Sequence, residues 1–151
     1  MKNDSDLRYQ ALVSKLQEHG SRLTSHRLAL ARLLSTSENH PNASQLYEKL
    51  RVQFPTVSLA TIYKTLALLK EEGEVLEIDL HGDSHYDGAK PFPHPHLICE
   101  NCGTILDGDE AQIIGKLHKE IEDKYGFQIT RPQLNFYGLC SDCRGQIKNK
   151  G

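Results

Sequence analysis

The sequence predicts an α+β chain in two parts: helices ending in a β-hairpin, then a small sheet-and-helix part closed by a metal. Three observations predict it. Between residues 6 and 72, apolar residues recur four times at helical spacing, each run bounded by a capping residue, a proline or a glycine. Alternating segments at 74–80 and 84–87 then flank His81-Gly82-Asp83. All four cysteines lie in two Cys-x-x-Cys pairs, Cys99/Cys102 and Cys140/Cys143, with 37 residues between them. At 151 residues the chain divides into expected domains 1–88 and 96–151, joined by a hinge linker at 89–95 that holds three prolines together with a following boundary at His96.

Leu7, Ala11, Leu12 and Leu16 set a first helix over 6–19, stopped by Gly20. Thr24 or Ser25 caps a second, which runs through Leu28, Ala31, Leu33 and Leu34 to the Ser35-Thr36-Ser37 cluster. A third follows Pro41-Asn42, with Ser44 as its cap and Leu46, Tyr47 and Leu50 facing inward. It ends at Phe54-Pro55, because a residue before proline disfavours the helical region. Ser58 caps the fourth, over 59–72, whose Leu59, Ile62, Leu66 and Leu69 form one apolar stripe before Gly73 ends it.

The opposite face of the fourth helix presents Ala60, Thr61 and Lys64, with Tyr63 at its border. Small residues beside a cation and a phenol suit close approach to a groove in DNA. An ordinary solvated helix face has the same composition, but short helices followed by a hairpin make the winged helix-turn-helix pattern, in which the last helix reads the major groove. Charge is placed accordingly. Residues 1–72 carry ten Lys and Arg against seven Asp and Glu, and residues 73–151 carry eight against thirteen, so the front half suits phosphate and the rear half suits cations. No apolar run approaches the roughly 20 residues that span a bilayer, and residues 1–20 hold no signal-peptide core, which gives a cytoplasmic expectation with no membrane partner.

In the second part, segments 97–99 and 104–106 read as a strand pair around the first knuckle, 109–125 as a helix with Ile113, Ile114, Leu117 and Ile121, and 127–130 and 134–139 as two further strands. The sheet and helix leave apolar surface suited to self-association. Cys99, Cys102, Cys140 and Cys143 make a closed four-thiolate set, the usual structural zinc arrangement. Disulfides or a thioredoxin-like redox pair are weaker readings, because no signal peptide and no βαβ pattern surround either knuckle. His94 and His96, two apart ahead of Cys99, can converge on a second ion from one face of a strand.

Together these residues resemble the ferric uptake regulator family of bacterial metal-dependent repressors. The resemblance runs through His40-Pro41-x-Ala43, Ser58-Leu59-Ala60-Thr61-Ile62-Tyr63, His94-x-His96-Leu97-Ile98-Cys99-x-x-Cys102-Gly103 and Tyr137-Gly138-x-Cys140-x-x-Cys143. It implies a homodimer with an N-terminal winged-helix domain that binds a double-stranded DNA operator, a C-terminal dimerisation domain, and no enzymatic activity. It also implies a regulatory metal with His40, Asp87, His94, His96 and Asp107 as ligands. Three imidazoles and two carboxylates suit Fe(II), Mn(II) or Co(II) better than a closed zinc cage. At the residue level, His81, Asp83 and His85 compete with Asp87, and Asp109 and Glu110 compete with Asp107.

Aspartate at 107 resembles the peroxide-sensing members, where iron-sensing members more often carry glutamate. A further metal site of the family is expected to be absent, since Pro93, Pro95 and Pro132 occupy its places; Lys64 stands where an arginine or asparagine is usual. The resulting expectation is a metal-dependent repressor that senses peroxide through Fe(II)-dependent oxidation of the ligand histidines His40 and His94, with no small organic ligand. Its alternatives are an iron, zinc or manganese uptake regulator and, in another class, a zinc-ribbon metallohydrolase. The hydrolase is disfavoured because the chain has no His-Glu-x-x-His arrangement.

Overall fold

The structure is a computed structural model that describes residues 3–20, 22–37, 39–90 and 94–148, without the side chains of 146–148. Residues 91–93 of the expected linker, Pro93 among them, lie outside the described residues. The chain forms two compact units, Met1–Pro91 and Phe92–Gly151.

The first unit holds helices α1 (Asp4–Glu18), α2 (Ser25–Thr36), α3 (Ala43–Gln53) and α4 (Leu59–Glu71), followed by strands β1 (Leu76–Leu80) and β2 (Asp83–Asp87). Each helix begins at a side chain that accepts a backbone amide near its start: Asn3, Thr24, Asn42 and Ser58. For α3 this corrects the expected cap. Asn42, not Ser44, closes a reciprocal capping box with Gln45, because a helix beginning at Ala43 already contains Ser44.

The helices pack around Leu12, Leu16, Leu30, Leu34, Leu46, Leu50, Ile62, Leu66 and Leu69. The expected stripe of α4 loses Leu59, which is 37% exposed, and gains buried Thr65, whose hydroxyl is satisfied by the Thr61 carbonyl at 2.8 Å. Leu59 sits in the first turn, beyond the reach of the core.

Past α4, Gly73 takes a left-handed φ of 75°, and the amides of Gly73 and Glu74 bond to the carbonyls of Lys70 and Leu69. This glycine-terminated cap occupies the Glu74 amide, which is why β1 starts at Leu76 and not at 74. The hairpin turn is two residues long, His81-Gly82, both at positive φ (52° and 82°), and Asp83 already pairs with Leu80. That is the turn whose twist matches flanking strands.

The second unit holds β3 (His96–Cys99), β4 (Ile105–Asp107), helix α5 (Ala111–Tyr125), β5 (Asn135–Gly138) and helix α6 (Ser141–Lys148). Strand order is β4-β3-β5, with β4 antiparallel and β5 parallel to β3. Residues 127–130 form no strand. The Phe127 amide bonds the Glu122 carbonyl and the Ile129 amide the Glu122 carboxylate, so the segment closes the end of α5 and its donors are unavailable to a ladder. α5 buries only Ile114 among its apolar residues, leaving Ile113 66%, Leu117 44% and Tyr125 67% exposed. No helix among the described residues is long and apolar enough to cross a membrane.

Candidate metal centres and DNA-facing helix

β3 ends in Cys99, and the chain turns through Cys102 and Gly103, whose φ of 80° permits the reversal into β4. Cys140 precedes α6 and Cys143 lies in its first turn, with the Arg144 amide on the Cys140 carbonyl at 2.8 Å. The four Sγ atoms all lie within 4.8 Å of one another, and Cys102 and Cys140 are 3.7 Å apart. A tetrahedral zinc with bonds of about 2.3 Å requires sulfurs about 3.8 Å apart, so the residues present fit that ion.

Surrounding donors prepare the sulfurs. The amides of Cys102 and Cys140 hold the Cys99 thiol down at about 6. The Thr104 hydroxyl, 3.0 Å from Cys102 Sγ, holds Cys102 below its usual value. Asn101 donates to Cys143 Sγ at 3.2 Å, yet burial and the three neighbouring thiols push Cys143 up to about 12. Four thiols at this spacing cannot all ionise without a cation among them. Asn101 and Thr104 were missed in the sequence; their places inside and just after the first knuckle were the available signal.

In the first unit, His40 sits at φ 48°, a left-handed conformation that costs a non-glycine residue roughly 1–2 kcal/mol. Its Nε2 is 3.4 Å from Asp87 Oδ2, and both residues are 3% exposed. Asp87 is fixed from its other oxygen, which accepts the amides of Ala89 (3.2 Å) and Lys90 (3.1 Å). The competitors of Asp87 are elsewhere: His81 is in the turn, Asp83 accepts from Asn42, and His85 turns its Nδ1 to the His40 carbonyl.

In the second unit, His94 Nε2 and His96 Nε2 lie 3.1 and 3.3 Å from the same Asp107 Oδ1. The imidazole centroids are 4.3 Å apart, and both histidines are 3% exposed. Register explains the convergence, since His96 of β3 pairs with Asp107 of β4. Donors held about 2.1 Å from one ion at right angles are about 3.0 Å apart, so the donors within each set have the N/O chemistry and close to the spacing of ligands that share one transition-metal ion.

On α4, Ala60, Tyr63 and Lys64 are exposed, Tyr63 by 50%. Thr61 is half-buried, and its hydroxyl is 2.9 Å from the Ser58 cap.

The sequence profile of the ferric uptake regulator family matches residues 18–137. The peroxide-responsive repressor PerR of Staphylococcus saprophyticus is 34% identical over 134 residues, covering 87% of this chain and 88% of that protein. The ferric uptake regulator of Helicobacter pylori shares the fold with a TM-score of 0.74 at 20% identity, over 95% of this chain and 97% of the other. That of Vibrio cholerae has a TM-score of 0.66 at 31% identity, over 83% and 96%.

Proposed function

Because the chain belongs to the ferric uptake regulator family, whose members are metal-responsive, DNA-binding, dimeric transcription regulators and not enzymes, we propose that it is a cytoplasmic repressor that releases its operator in response to peroxide. The observation that carries this reading is the donor set at Asp107, where two buried imidazoles meet one aspartate oxygen. Likeness to a peroxide-responsive repressor over most of the chain supports it.

In the proposal, Cys99, Cys102, Cys140 and Cys143 hold a structural zinc that joins the β3–β4 turn to the start of α6. His40, Asp87, His94, His96 and Asp107 are the ligands of a regulatory Fe(II) or Mn(II). Since these ligands come from both units, bound metal favours the arrangements in which all five reach it, and DNA binding follows that population. Ala60, Thr61, Tyr63 and Lys64 face the operator.

Held by these residues, Fe(II) would supply the means to reduce peroxide beside its ligands, which Mn(II) would not readily do. The imidazole of His40 or His94 would then receive the damage: one oxygen of hydrogen peroxide ends on a ring carbon, the other leaves as water, and the ring supplies the two electrons. An oxidised imidazole is a poorer ligand, and the chain lets go of DNA without cysteine chemistry.

The test compares the Fe(II) and Mn(II) forms on the chain's own upstream DNA before and after peroxide, by gel shift and peptide mass. The expected result is release of DNA by the Fe(II) form alone, with one added oxygen on a peptide containing His40 or His94. An Fe(II) form that stays bound with unmodified histidines refutes peroxide sensing. It would leave the iron-uptake reading, which the likeness to the Vibrio cholerae regulator favours.

A further inference from the structure

His85 stands out as a histidine near the candidate ligands whose ring is committed elsewhere. It lies on β2, two residues before Asp87, paired with Ile78 of β1 on one side. On the other side it bridges to Asn42, and the next amide, of Tyr86, bonds the Pro41 carbonyl at 2.9 Å. The short run from His40 to Asn42 therefore lies along β2 as a partial third strand. At its beginning, His85 Nδ1 is 2.7 Å from the His40 carbonyl. A carbonyl only accepts, so Nδ1 carries the proton. The other ring nitrogen faces Asp83 Oδ2 at 3.4 Å, and that carboxylate is itself held by Asn42 Nδ2 at 2.8 Å.

These bonds meet at the point where the backbone needs holding. His40 has a positive φ, and its Cβ denies it the freedom with which a glycine enters that region, so the conformation needs holding from outside. With φ at 48° its Nε2 is 3.4 Å from Asp87 Oδ2, and a change of φ turns the Cα–Cβ bond and with it the direction of the ring. We propose that His85 is a positioning residue for the regulatory metal: by donating to the His40 carbonyl it keeps His40 in the left-handed conformation that aims its imidazole at Asp87, without itself becoming a ligand. This rests on the assignment of His40 and Asp87 as ligands made above. It gives the wing a second task, since residues 83 and 85 of the hairpin then set how ready the first unit is for metal. Outer partners that orient a ligand typically change metal affinity 10- to 100-fold.

The experiment uses the full-length, zinc-loaded protein and titrates Mn(II), reading free Mn(II) by electron paramagnetic resonance. His85→Phe keeps the ring and removes the donor; His85→Asn keeps a donor where Nδ1 was. The expected result is Mn(II) binding weakened at least about tenfold in His85→Phe and restored to within a few-fold in His85→Asn. The Co(II)-substituted spectrum should show the same number of coordinated imidazoles in all three proteins. Equal Mn(II) affinity in His85→Phe overturns the proposal, as does failure of His85→Asn to restore it or loss of one coordinated imidazole, which would make His85 a ligand. Asp87→Ala separates the two layers: if the unmodified protein binds Mn(II) no better than Asp87→Ala, the ligand assignment itself fails. Nitrogen-15 shifts of the unmodified protein decide independently of any variant's folding, because an Nε2-protonated His85 overturns the proposal.

Discussion

Replacing Gly88 by alanine should both destabilise the first unit and displace Asp87, the carboxylate proposed as a metal ligand. Gly88 is buried immediately after β2, next to Asp87, and an added Cβ would stand 2.9 Å from Leu34 Cβ and 3.2 Å from the Leu34 carbonyl oxygen. These are atoms of a helix whose Leu34 side chain is fully buried, so rotating a side chain cannot relieve the overlap. The end of β2 must move away from α2 instead, while Arg8 Nε holds the Gly88 carbonyl at 3.1 Å and binds Glu74 with the rest of its guanidinium. Overpacking of this kind costs about 1–3 kcal/mol. For a unit of this size that lowers Tm by roughly 5–20 °C. The shift also moves Asp87, so Mn(II) affinity should fall alongside. Circular dichroism of the metal-free, zinc-retaining protein measures the first effect and Mn(II) titration the second. Gly115→Ala serves as the control: it lies inside α5 with nothing within 4 Å of the new methyl, and should raise stability by up to about 1 kcal/mol. A Gly88→Ala protein with unaltered Tm and Mn(II) affinity would refute the reasoning.

Other expectations follow from the same geometry. Cys99→Ser or Cys140→Ser should release zinc and dissociate the dimer, because structural-zinc binding energy is folding energy; an intact zinc-free dimer by native mass spectrometry would contradict this. Tyr63→Ala and Lys64→Ala should each weaken operator binding with both metals retained, and Lys64→Ala should lower the salt slope by about one charge, read from gel shifts at graded salt. His19 at the end of α1 pairs with Glu72 at the end of α4; this bond raises the His19 pKa and lowers that of Glu72. The raised histidine contributes fully below its unfolded pKa of about 6.5 and loses its contribution as pH rises through its folded pKa. The lowered carboxylate loses its contribution as pH falls through its own folded pKa. His19→Gln should therefore lower Tm in mild acid and leave it unchanged in alkali, and a uniform loss at every pH would count against the pair.

Much of the fold is legible in the residues because its signals are local. The four helices follow from leucine spacing, and the Cys-x-x-Cys pairs fix their own cluster by chemistry. The features that escaped depend on competition for backbone groups. Asn42 caps α3 with a reciprocal bond from Gln45, which leaves Ser44 inside the helix, and Glu122 takes the amides of Phe127 and Ile129 in the segment 127–130 expected to be a strand. α6 was hidden because Cys140-x-x-Cys143 reads as a knuckle, whereas the same spacing also forms a helical turn. At the site, spacing singles out His94 and His96 and the family resemblance singles out Asp107, but the different contacts of Asp87, to the His40 ring, and of His85, to the His40 carbonyl, are not legible in the residues. They lie two apart on one strand, and the left-handed backbone at His40 is what gives them different partners.

The parallel pairing of β3 with β5 sets a problem in polymer statistics. Leu97 meets Phe136, and a parallel ladder cannot be closed by a tight turn, so the chain must leave, pass through α5 and return. Bringing together the ends of the loop between Leu97 and Phe136, 38 residues, costs about 4 kcal/mol of chain entropy. The ladder that rewards it is four residues long and includes Phe136 and Tyr137, each about half exposed. An ion gripped by Cys99 and Cys102 at one end and Cys140 and Cys143 at the other would close that stretch into a ring and remove most of this cost from the folded chain. With the loop so closed, the supply of metal, more than the strength of the ladder, would govern how many copies of the chain can keep the sheet.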